Sequence, residues 1–312
     1  MIAFGPVPSR RFGMSLGINN ISHVKDCTYS CIYCQLGRTK ERNTTKKTYF
    51  HPETIVEEVN NHLRKLDDNH LPDCITIVPD GEPTLDLHLA EEIRLLKKFE
   101  YPVGVVTNAS LLFDKKVREA LHLTNQVCIK VDSLCESTWK HINRPAPEIN
   151  FRQYLNGLTT FAAKYRGKLF TETMLIDSFN DKEAEIEKIA SFLVQLQPLK
   201  AFLLTPVRPP SERMVRIPTD EKLQRAQHIF RLHGLNTELL KETNENTVGT
   251  TGNAYEDILN ISAVHPIRED MMKKILEKNN SEKYVLNSLI DEKLIKVVNY
   301  RGSKYYLRYH QF

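Results

Sequence analysis

The chain has 312 residues, of which 41% are hydrophobic and 26% are charged, and its formal net charge is +4 at pH 7. This composition is typical of a soluble protein, and the charge permits an anionic partner without requiring one. No stretch has the length and apolarity of a signal peptide or a membrane span, so we expect a cytoplasmic protein with no membrane contact. The scattered cysteines Cys74, Cys128 and Cys135 suggest free thiols in a reducing compartment.

Short apolar runs alternate with amphipathic helical patterns along most of the chain. The predicted strands are 14–21, 74–78, 103–107, 127–133, 168–177 and 201–207. Predicted helices begin near Pro52 and then cover 89–96, 114–123, 136–165, 183–196 and 220–232. Six βα units in succession imply parallel strands with right-handed crossovers. We therefore predict an α/β fold with a partial (β/α)6 TIM-like barrel, whose chemistry would lie at the carboxyl ends of the strands.

A smaller unit is predicted after a polar connector rich in threonine, asparagine and glycine. The predicted boundaries are 1–240 for the barrel, 241–252 for the linker and 253–312 for the second domain. Three helical segments and a hairpin with a turn at Arg301-Gly302-Ser303 predict a winged helix-turn-helix, and Ser281 is the expected cap of its third helix. Residues 253–312 carry 10 Lys and Arg against 8 Asp and Glu, so this unit fits protein recognition or packing as well as it fits nucleic-acid binding.

Three cysteines, Cys27, Cys31 and Cys34, lie within eight residues just after the first predicted strand. Thiols this close in one loop are better placed to bind one group than to form disulfides. Zinc is the main rival, but structural zinc usually takes four ligands in two spaced pairs, and no second pair lies nearby. A cubane iron-sulfur cluster has four irons, so three thiolates would leave one iron open to a further ligand.

These cysteines have the spacing CxxxCxxC, with the aromatic Tyr33 before the last of them. A second motif, Asp80-Gly81-Glu82-Pro83, is similar to a GGEP motif in which an aspartate replaces the first glycine. On these residues the chain resembles the radical S-adenosylmethionine (radical SAM) superfamily over about residues 1 to 235. Within it, three further segments most resemble the wyosine-synthase-like group: Gly5 to Arg11, Cys34 to Gly37, and Ile142 to Pro145.

The resemblance implies a [4Fe-4S] cluster on the three cysteines, with S-adenosylmethionine bound to the open iron. It also implies reductive cleavage of S-adenosylmethionine to a 5′-deoxyadenosyl radical that abstracts hydrogen from a substrate. An electron donor of the flavodoxin or ferredoxin type would be a partner. Tyr33 would lie beside the adenine, and the loop holding Gly81 and Glu82 would accept hydrogen bonds from the amino group of S-adenosylmethionine.

Polar residues at other predicted strand ends are candidates for the same cofactor site. Thr107 and Asn108 could hold a ribose, although they also fit ordinary turn chemistry. Lys130 would need a carboxylate partner if buried, either that of S-adenosylmethionine or Asp132 in a structural pair. Glu172, followed two residues later by Met174, falls where the resemblance places cofactor-lining residues.

Several basic residues are candidates for an anionic substrate. Arg144 and Arg208 could clamp it, although each also fits an ordinary surface arginine beside a proline. The segment 38–47 contains five cationic residues and one glutamate. This composition fits either phosphate recognition or a solvated loop.

Three functions remain open on the sequence. The first is a radical enzyme that modifies RNA; it departs from wyosine synthases, which carry further cysteines upstream, because no residue before Cys27 is a cysteine. The second is a radical enzyme acting on a peptide, protein or small molecule that the C-terminal unit helps to recognise. The third is an iron-sulfur sensor that regulates transcription.

Overall fold

The computed structural model describes residues 2–9, 11–21, 25–66, 71–240 and 252–309. Two compact units divide the chain: the first holds 1–26, 47–103 and 244–312, and the second holds 27–46 and 104–243. Most of the predicted linker 241–252 lies outside the described residues, as does Arg10 of the first segment of the wyosine-synthase-like resemblance.

Strands β1 (Ala3–Ser9), β2 (Gly13–Ile18) and β3 (Cys74–Ile77) form the sheet of the first unit. Strand β1 is antiparallel to β2, and β2 is parallel to β3. Helix α1 (Pro52–Leu63) precedes β3 and helix α2 (Leu89–Leu96) follows it. A proline at the first position of α1 suits a helix start, where its missing N–H costs no hydrogen bond.

The second unit contains parallel strands alternating with helices. Its strands are β4 (Val103–Thr107, of which Val103 belongs to the first unit), β5 (Gln126–Lys130), β6 (Lys168–Met174), β7 (Lys200–Leu204) and β8 (Thr237–Leu240). Each is parallel to the next. Its helices are α3 (Lys115–Leu121), α4 (Glu136–Asn143), α5 (Phe151–Lys164), α6 (Glu183–Leu196) and α7 (Asp220–Leu232).

The eight strands occur in the sheet in the same order as in the chain. The predicted α/β fold with the strand order of a partial TIM-like barrel is therefore confirmed, but the sheet has two strands more than the six predicted. Strand β1 contains Pro6 and Pro8, which cannot donate ladder hydrogen bonds and which an edge strand tolerates. Strand β8 has four residues and follows α7 closely. A run this short gives no pattern from which a strand could be predicted.

Helix formation in the second unit follows local capping and burial. The Asn150 side chain accepts hydrogen bonds from the N–H groups of Arg152 and Gln153, which caps α5. Leu158 and Phe161 of this helix are fully buried. Removing each such side chain from water stabilises the fold by about 1.5–3 kcal/mol, so packing and capping act together.

The C-terminal elements belong to the first unit. They are α8 (Ala254–Val264), β9 (Ile267–Arg268), α9 (Glu269–Lys278), α10 (Lys283–Asp291), β10 (Ile295–Tyr300) and β11 (Ser303–Arg308). The three strands form a separate sheet in the order β10-β11-β9. The hairpin turn lies where the sequence predicted it, with positive φ at Arg301 and Gly302. The predicted cap was wrong: α10 begins after Glu282, and the Ser281 hydroxyl instead donates to the Asn279 carbonyl.

Among the described residues, no helix combines the length and apolarity needed to cross a membrane.

Candidate functional site

The three clustered cysteines lie on the loop between β2 and α1, within the second unit. Cys27, Cys31 and Cys34 are not in disulfides, and each is partly exposed. The N–H of Cys34 donates to the Cys31 carbonyl at 3.1 Å, and the N–H of Gly37 donates to the Cys34 carbonyl at 3.2 Å. Successive tight turns therefore carry the last two cysteines.

Buried polar contacts hold the residues between the first two cysteines. The Thr28 hydroxyl is 2.7 Å from that of Ser110, and the Thr28 carbonyl accepts from the N–H of Ala146 at 2.8 Å. The Trp139 indole donates to the Tyr29 hydroxyl at 3.1 Å. Both Thr28 and Trp139 are almost completely buried, so this part of the loop is fixed by the core of its own unit.

Nitrogen donors point at two of the cysteine sulfurs. The N–H of Tyr29 is 3.5 Å from Cys27 Sγ, and Asn108 Nδ2 is 3.6 Å from the same atom. Asn143 Nδ2 is 3.5 Å from Cys31 Sγ. Hydrogen bonds to sulfur favour the negatively charged thiolate, which is the form that binds metal. The set of donors therefore fits cysteines that serve as ligands.

The electrostatics of Cys31 favour the neutral thiol where no cation is bound. Burial, with the charge of Cys34 second, raises the pKa of the Cys31 thiol to about 11. The thiolate would need a cationic partner at neutral pH, and iron in a cluster provides one.

No three His, Cys, Asp or Glu side chains of the described residues are arranged to hold a single metal ion. A cubane cluster makes a different demand, because each thiolate binds a different iron atom. Three thiols on one loop meet that demand without converging on one point.

A hydrogen-bonded group centred on Asp132 adjoins the cysteines. Asp132 is 1% exposed and lies two residues beyond β5, although the sequence predicted it within a strand. Tyr33 donates its hydroxyl to Asp132 Oδ2, Asn143 Nδ2 donates to the same oxygen at 2.7 Å, and the Met174 N–H donates to Oδ1 at 2.8 Å. Burial first, and then the charge of Asp132, raises the pKa of Tyr33, which keeps this phenol a donor.

Lys130 and Glu172, at facing positions on β5 and β6, form an ion pair. Lys130 Nζ is 3.9 Å from Glu172 Oε2 and 5.1 Å from the centre of the Tyr33 ring. Asp132 was the partner predicted from the sequence if Lys130 formed a structural ion pair. The structure gives Lys130 a carboxylate partner on the neighbouring strand, at a separation long enough for a further anion to share the ammonium group.

Thr107 and Asn108 take part in the turn that follows β4. Thr107 Oγ1 accepts from the Ala109 N–H at 2.9 Å, and Asn108 Oδ1 accepts from the Ser110 N–H at 2.9 Å. Asn108 Nδ2 also donates to Thr28 Oγ1 at 2.8 Å. The turn chemistry that the sequence allowed is therefore present, and Asn108 is tied to the cysteine loop as well.

In the first unit, the loop after β3 is joined to the residue that precedes Cys27. The N–H of Glu82 donates to the Asp26 carbonyl at 2.9 Å. A Cβ placed on Gly81 would lie 2.0 Å from the same carbonyl oxygen, so only glycine allows this approach. The Glu82 carboxylate accepts from the N–H and hydroxyl of Thr84 and caps the short 3₁₀ turn at 83–85.

Asp80, the departure from the GGEP pattern, is 1% exposed. Its N–H donates to Asn19 Oδ1 at 3.3 Å. Within the part of the chain that the structure describes, Asp80 Oδ1 has no hydrogen-bond partner. Burial raises the pKa of this carboxyl from 3.8 to about 7.

Arg144 and Arg208, the candidate clamps for an anionic substrate, bind other side chains of the second unit. Arg144 Nη1 is 2.6 Å from Glu212 Oε1, and Arg38 Nε is 2.8 Å from the same oxygen. Arg208 Nη1 donates to Gln35 Oε1 at 3.1 Å. These arginines therefore connect the cysteine loop to the loop after β7 and to the residue that follows α4.

Other cations of the basic segment are also paired. Lys46 binds Asp114, and Lys47 Nζ is 2.9 Å from Asp26 Oδ2. Arg42 donates to a backbone carbonyl at 3.2 Å. The segment remains exposed over several of its residues, so its cations still present a positive face to solvent.

Two site residues received no role from the sequence. Asn143 had been noted only within a segment of family resemblance, and Glu212 had not been noted. Their partners Cys31 and Arg38 lie 112 and 174 positions away in the chain. No local pattern signals contacts at such separations.

Known proteins with similar sequences cover most of this chain. A model of the Radical SAM superfamily matches residues 21–193. UPF0026 protein MJ1312 of Methanocaldococcus jannaschii is 41% identical over 310 residues, covering 98% of this chain and 96% of that protein.

Solved structures share the fold at lower sequence identity. A radical SAM methyltransferase from Sphaerobacter thermophilus aligns with a TM-score of 0.57 and 15% identity, covering 72% of this chain and 66% of that one. An archaeal TYW1 aligns with a TM-score of 0.50 and 17% identity, covering 75% and 77%.

The resemblance inferred from the cysteine spacing is thus confirmed by similarities that reach well beyond the motif. The matched family region includes the cysteine loop and strands β3 to β6. Similarity to MJ1312 runs on through the C-terminal elements. On these grounds the chain belongs to the radical SAM superfamily and is a relative of the UPF0026 proteins.

Proposed function

We propose that Cys27, Cys31 and Cys34 bind a [4Fe-4S] cluster and that S-adenosylmethionine binds its remaining iron atom. One observation carries this proposal: three cysteines that are not in disulfides share one loop, and N–H groups point at two of their sulfurs. When bound, the two cofactors would supply a 5′-deoxyadenosyl radical by reductive cleavage of S-adenosylmethionine, and this radical would abstract hydrogen from a substrate.

The chain would orient S-adenosylmethionine through residues near the cysteine loop. Lys130 would bind its carboxylate, because the ammonium group is 3.9 Å from Glu172 and can accept a second anion. Tyr33 would pack beside the adenine, and Asp132 would fix this ring through their hydrogen bond. Glu172, fully buried beside Lys130, would limit the motion of the lysine side chain.

Further contacts would come from the ends of β3 and β4. Backbone groups of Gly81 and Glu82 would accept hydrogen bonds from the amino group of S-adenosylmethionine. Thr107 and Asn108 would approach the ribose, with Asn108 held in place by Thr28. An electron donor of the flavodoxin or ferredoxin type would supply the electron.

The substrate that we propose is RNA. The segment 38–47 follows the last cysteine directly and contains five cations, and several of them are exposed although paired. Exposed cations beside a reactive site favour a polyanionic substrate, because binding releases the counterions of its phosphates.

We further propose that residues 1–240 form the radical SAM region and 253–312 a winged-helix-like domain joined by 241–252. The order α8, β9, α9, α10, β10, β11, with the hairpin paired to β9, supports this assignment. Helix α10 carries the exposed aromatic Tyr284, and the hairpin carries the exposed Val297 and Tyr309. Such exposed apolar side chains would help to bind the substrate.

Mass analysis of RNA from cells lacking this protein tests the proposed substrate. We expect one modified nucleoside to disappear and to return when the wild-type chain is supplied, but not when Cys31→Ala is supplied. An unchanged nucleoside profile, with a modification missing from a protein instead, would contradict the RNA proposal and favour a peptide or protein substrate.

A further inference from the structure

We propose that Asn143 sets the reduction potential of the cluster by donating a hydrogen bond to the sulfur of Cys31. This inference rests on the proposed function, because it requires the cluster on Cys27, Cys31 and Cys34. It assigns Asn143 a positioning role, since the side chain contacts a cluster ligand rather than a reacting atom.

The orientation of the Asn143 amide follows from its neighbours. The terminal atom 2.7 Å from Asp132 Oδ2 is the nitrogen, because Nδ2 carries the hydrogens of this amide and donates one to that oxygen. The same nitrogen is 3.5 Å from Cys31 Sγ. The carboxylate therefore settles which end of the amide faces the sulfur.

The Asn143 amide has enough hydrogens to donate to both Asp132 and the Cys31 sulfur. Nδ2 carries two hydrogens, and the short contact to Asp132 takes one of them. The second faces Cys31 Sγ and the Tyr33 hydroxyl oxygen, the latter at 3.2 Å. Because Tyr33 gives its own hydrogen to Asp132, its oxygen competes only as a weak neutral acceptor. A cluster-bound thiolate, which carries negative charge, is the stronger acceptor of the two.

The surroundings keep Asn143 in this position. Its side chain is 1% exposed at the end of α4, and its backbone carbonyl accepts from the N–H of Ser30 at 3.1 Å. Asp132 is itself held by the Met174 N–H. The donor is thus fixed before any cluster binds, and its geometry does not depend on solvent.

The sign of the effect follows from charge. Reduction adds one negative charge to the cluster, and an N–H directed at a ligand sulfur stabilises that charge, so it raises the potential. Removing the donor should make the cluster harder to reduce.

A redox titration followed by electron paramagnetic resonance tests this inference on the reconstituted full-length chain without S-adenosylmethionine. Asn143→Leu keeps the side-chain volume and removes the donor, and Asn143→Ser provides a second variant with a shorter side chain that cannot reach the sulfur. At a fixed ambient potential we expect the ratio of reduced to oxidised cluster to fall by about tenfold in each, which is 59 mV for one electron.

The outcomes separate this inference from the function on which it rests. A wild-type chain that binds no four-iron cluster would overturn the proposed function and this inference together. A wild-type cluster whose potential is the same in either Asn143 variant would overturn the role of Asn143 alone. Potentials that fall in both Asn143 variants would support it.

Discussion

At the scale of single residues, Asp80 sets this chain apart from the glycine of the GGEP pattern. A glycine has no side chain to bury, whereas Asp80 brings a carboxyl group into a site with 1% exposure and leaves one oxygen unpaired among the described residues. Burial disfavours the charged form, which is why the pKa rises to about 7. The residue therefore lowers the stability of the fold whenever it is ionised.

Stability should depend on pH through Asp80 in a defined direction. Between pH 3.8 and about 7 the unfolded carboxyl is ionised while the folded one keeps its proton. The folded state binds more protons over this interval, so the free energy of unfolding falls as the pH rises. The whole loss of stability caused by ionised Asp80 is present above pH 7. We expect Asp80→Asn to remove this loss, so that the variant gains up to about 4 kcal/mol relative to wild type from pH 4 to pH 8.

Denaturant unfolding of the cluster-free chain at several pH values measures this difference. The comparison between wild type and variant cancels the titration of other groups. A difference that stays constant from pH 4 to pH 8 would contradict the perturbed carboxyl.

At the scale of elements, the loop after β7 holds the cysteine loop within the second unit. The Ser211 hydroxyl donates to the Cys31 carbonyl at 2.9 Å, and the N–H of Glu212 donates to the Ile32 carbonyl at 3.0 Å. The Glu212 carboxylate then binds Arg38 and Arg144. One acidic side chain thus joins the segment after the cysteines to the end of α4.

Replacing Glu212 by Gln should loosen the cysteine loop without changing its size. Both arginines would lose a charged partner, and a neutral amide is a weaker hydrogen-bond acceptor for them than a carboxylate. We expect the variant to release cluster iron to a chelator several-fold faster than wild type, as followed by the loss of visible absorbance.

Glu238→Gln is the matched control, because Glu238 pairs with Lys200 on an exposed part of the sheet. It should lose iron at the wild-type rate. Equal rates in all three proteins would show that the Glu212 clamp does not hold the loop.

The elements also show which parts of the structure the sequence determines locally. Strand β3 was predicted because its residues form a continuous buried run, and the cysteine loop because its ligand spacing is local. The region 136–165 was predicted as helical throughout, but Arg144 ends α4 with a φ of 45°, and a loop with Pro145 separates α4 from α5. Asn143 and Glu212 act through distant partners, so only the tertiary structure identifies them.

At the scale of the whole molecule, the similarity to MJ1312 extends over nearly the full length of both chains. The C-terminal elements are thus part of the matched length, beyond the 21–193 region of the superfamily model. The superfamily region includes the cysteine loop. We propose that the cysteine loop binds a cluster able to cleave S-adenosylmethionine.

Release of 5′-deoxyadenosine by the anaerobically reconstituted, reduced chain tests that claim most directly. We expect the wild-type chain and the Cys128→Ala control, altered at a buried cysteine of β5, to release it from S-adenosylmethionine. Cys31→Ala should release none above background. Cleavage by Cys31→Ala at the wild-type rate, or none by a wild-type chain carrying four irons, would contradict the assignment of the cluster to this loop.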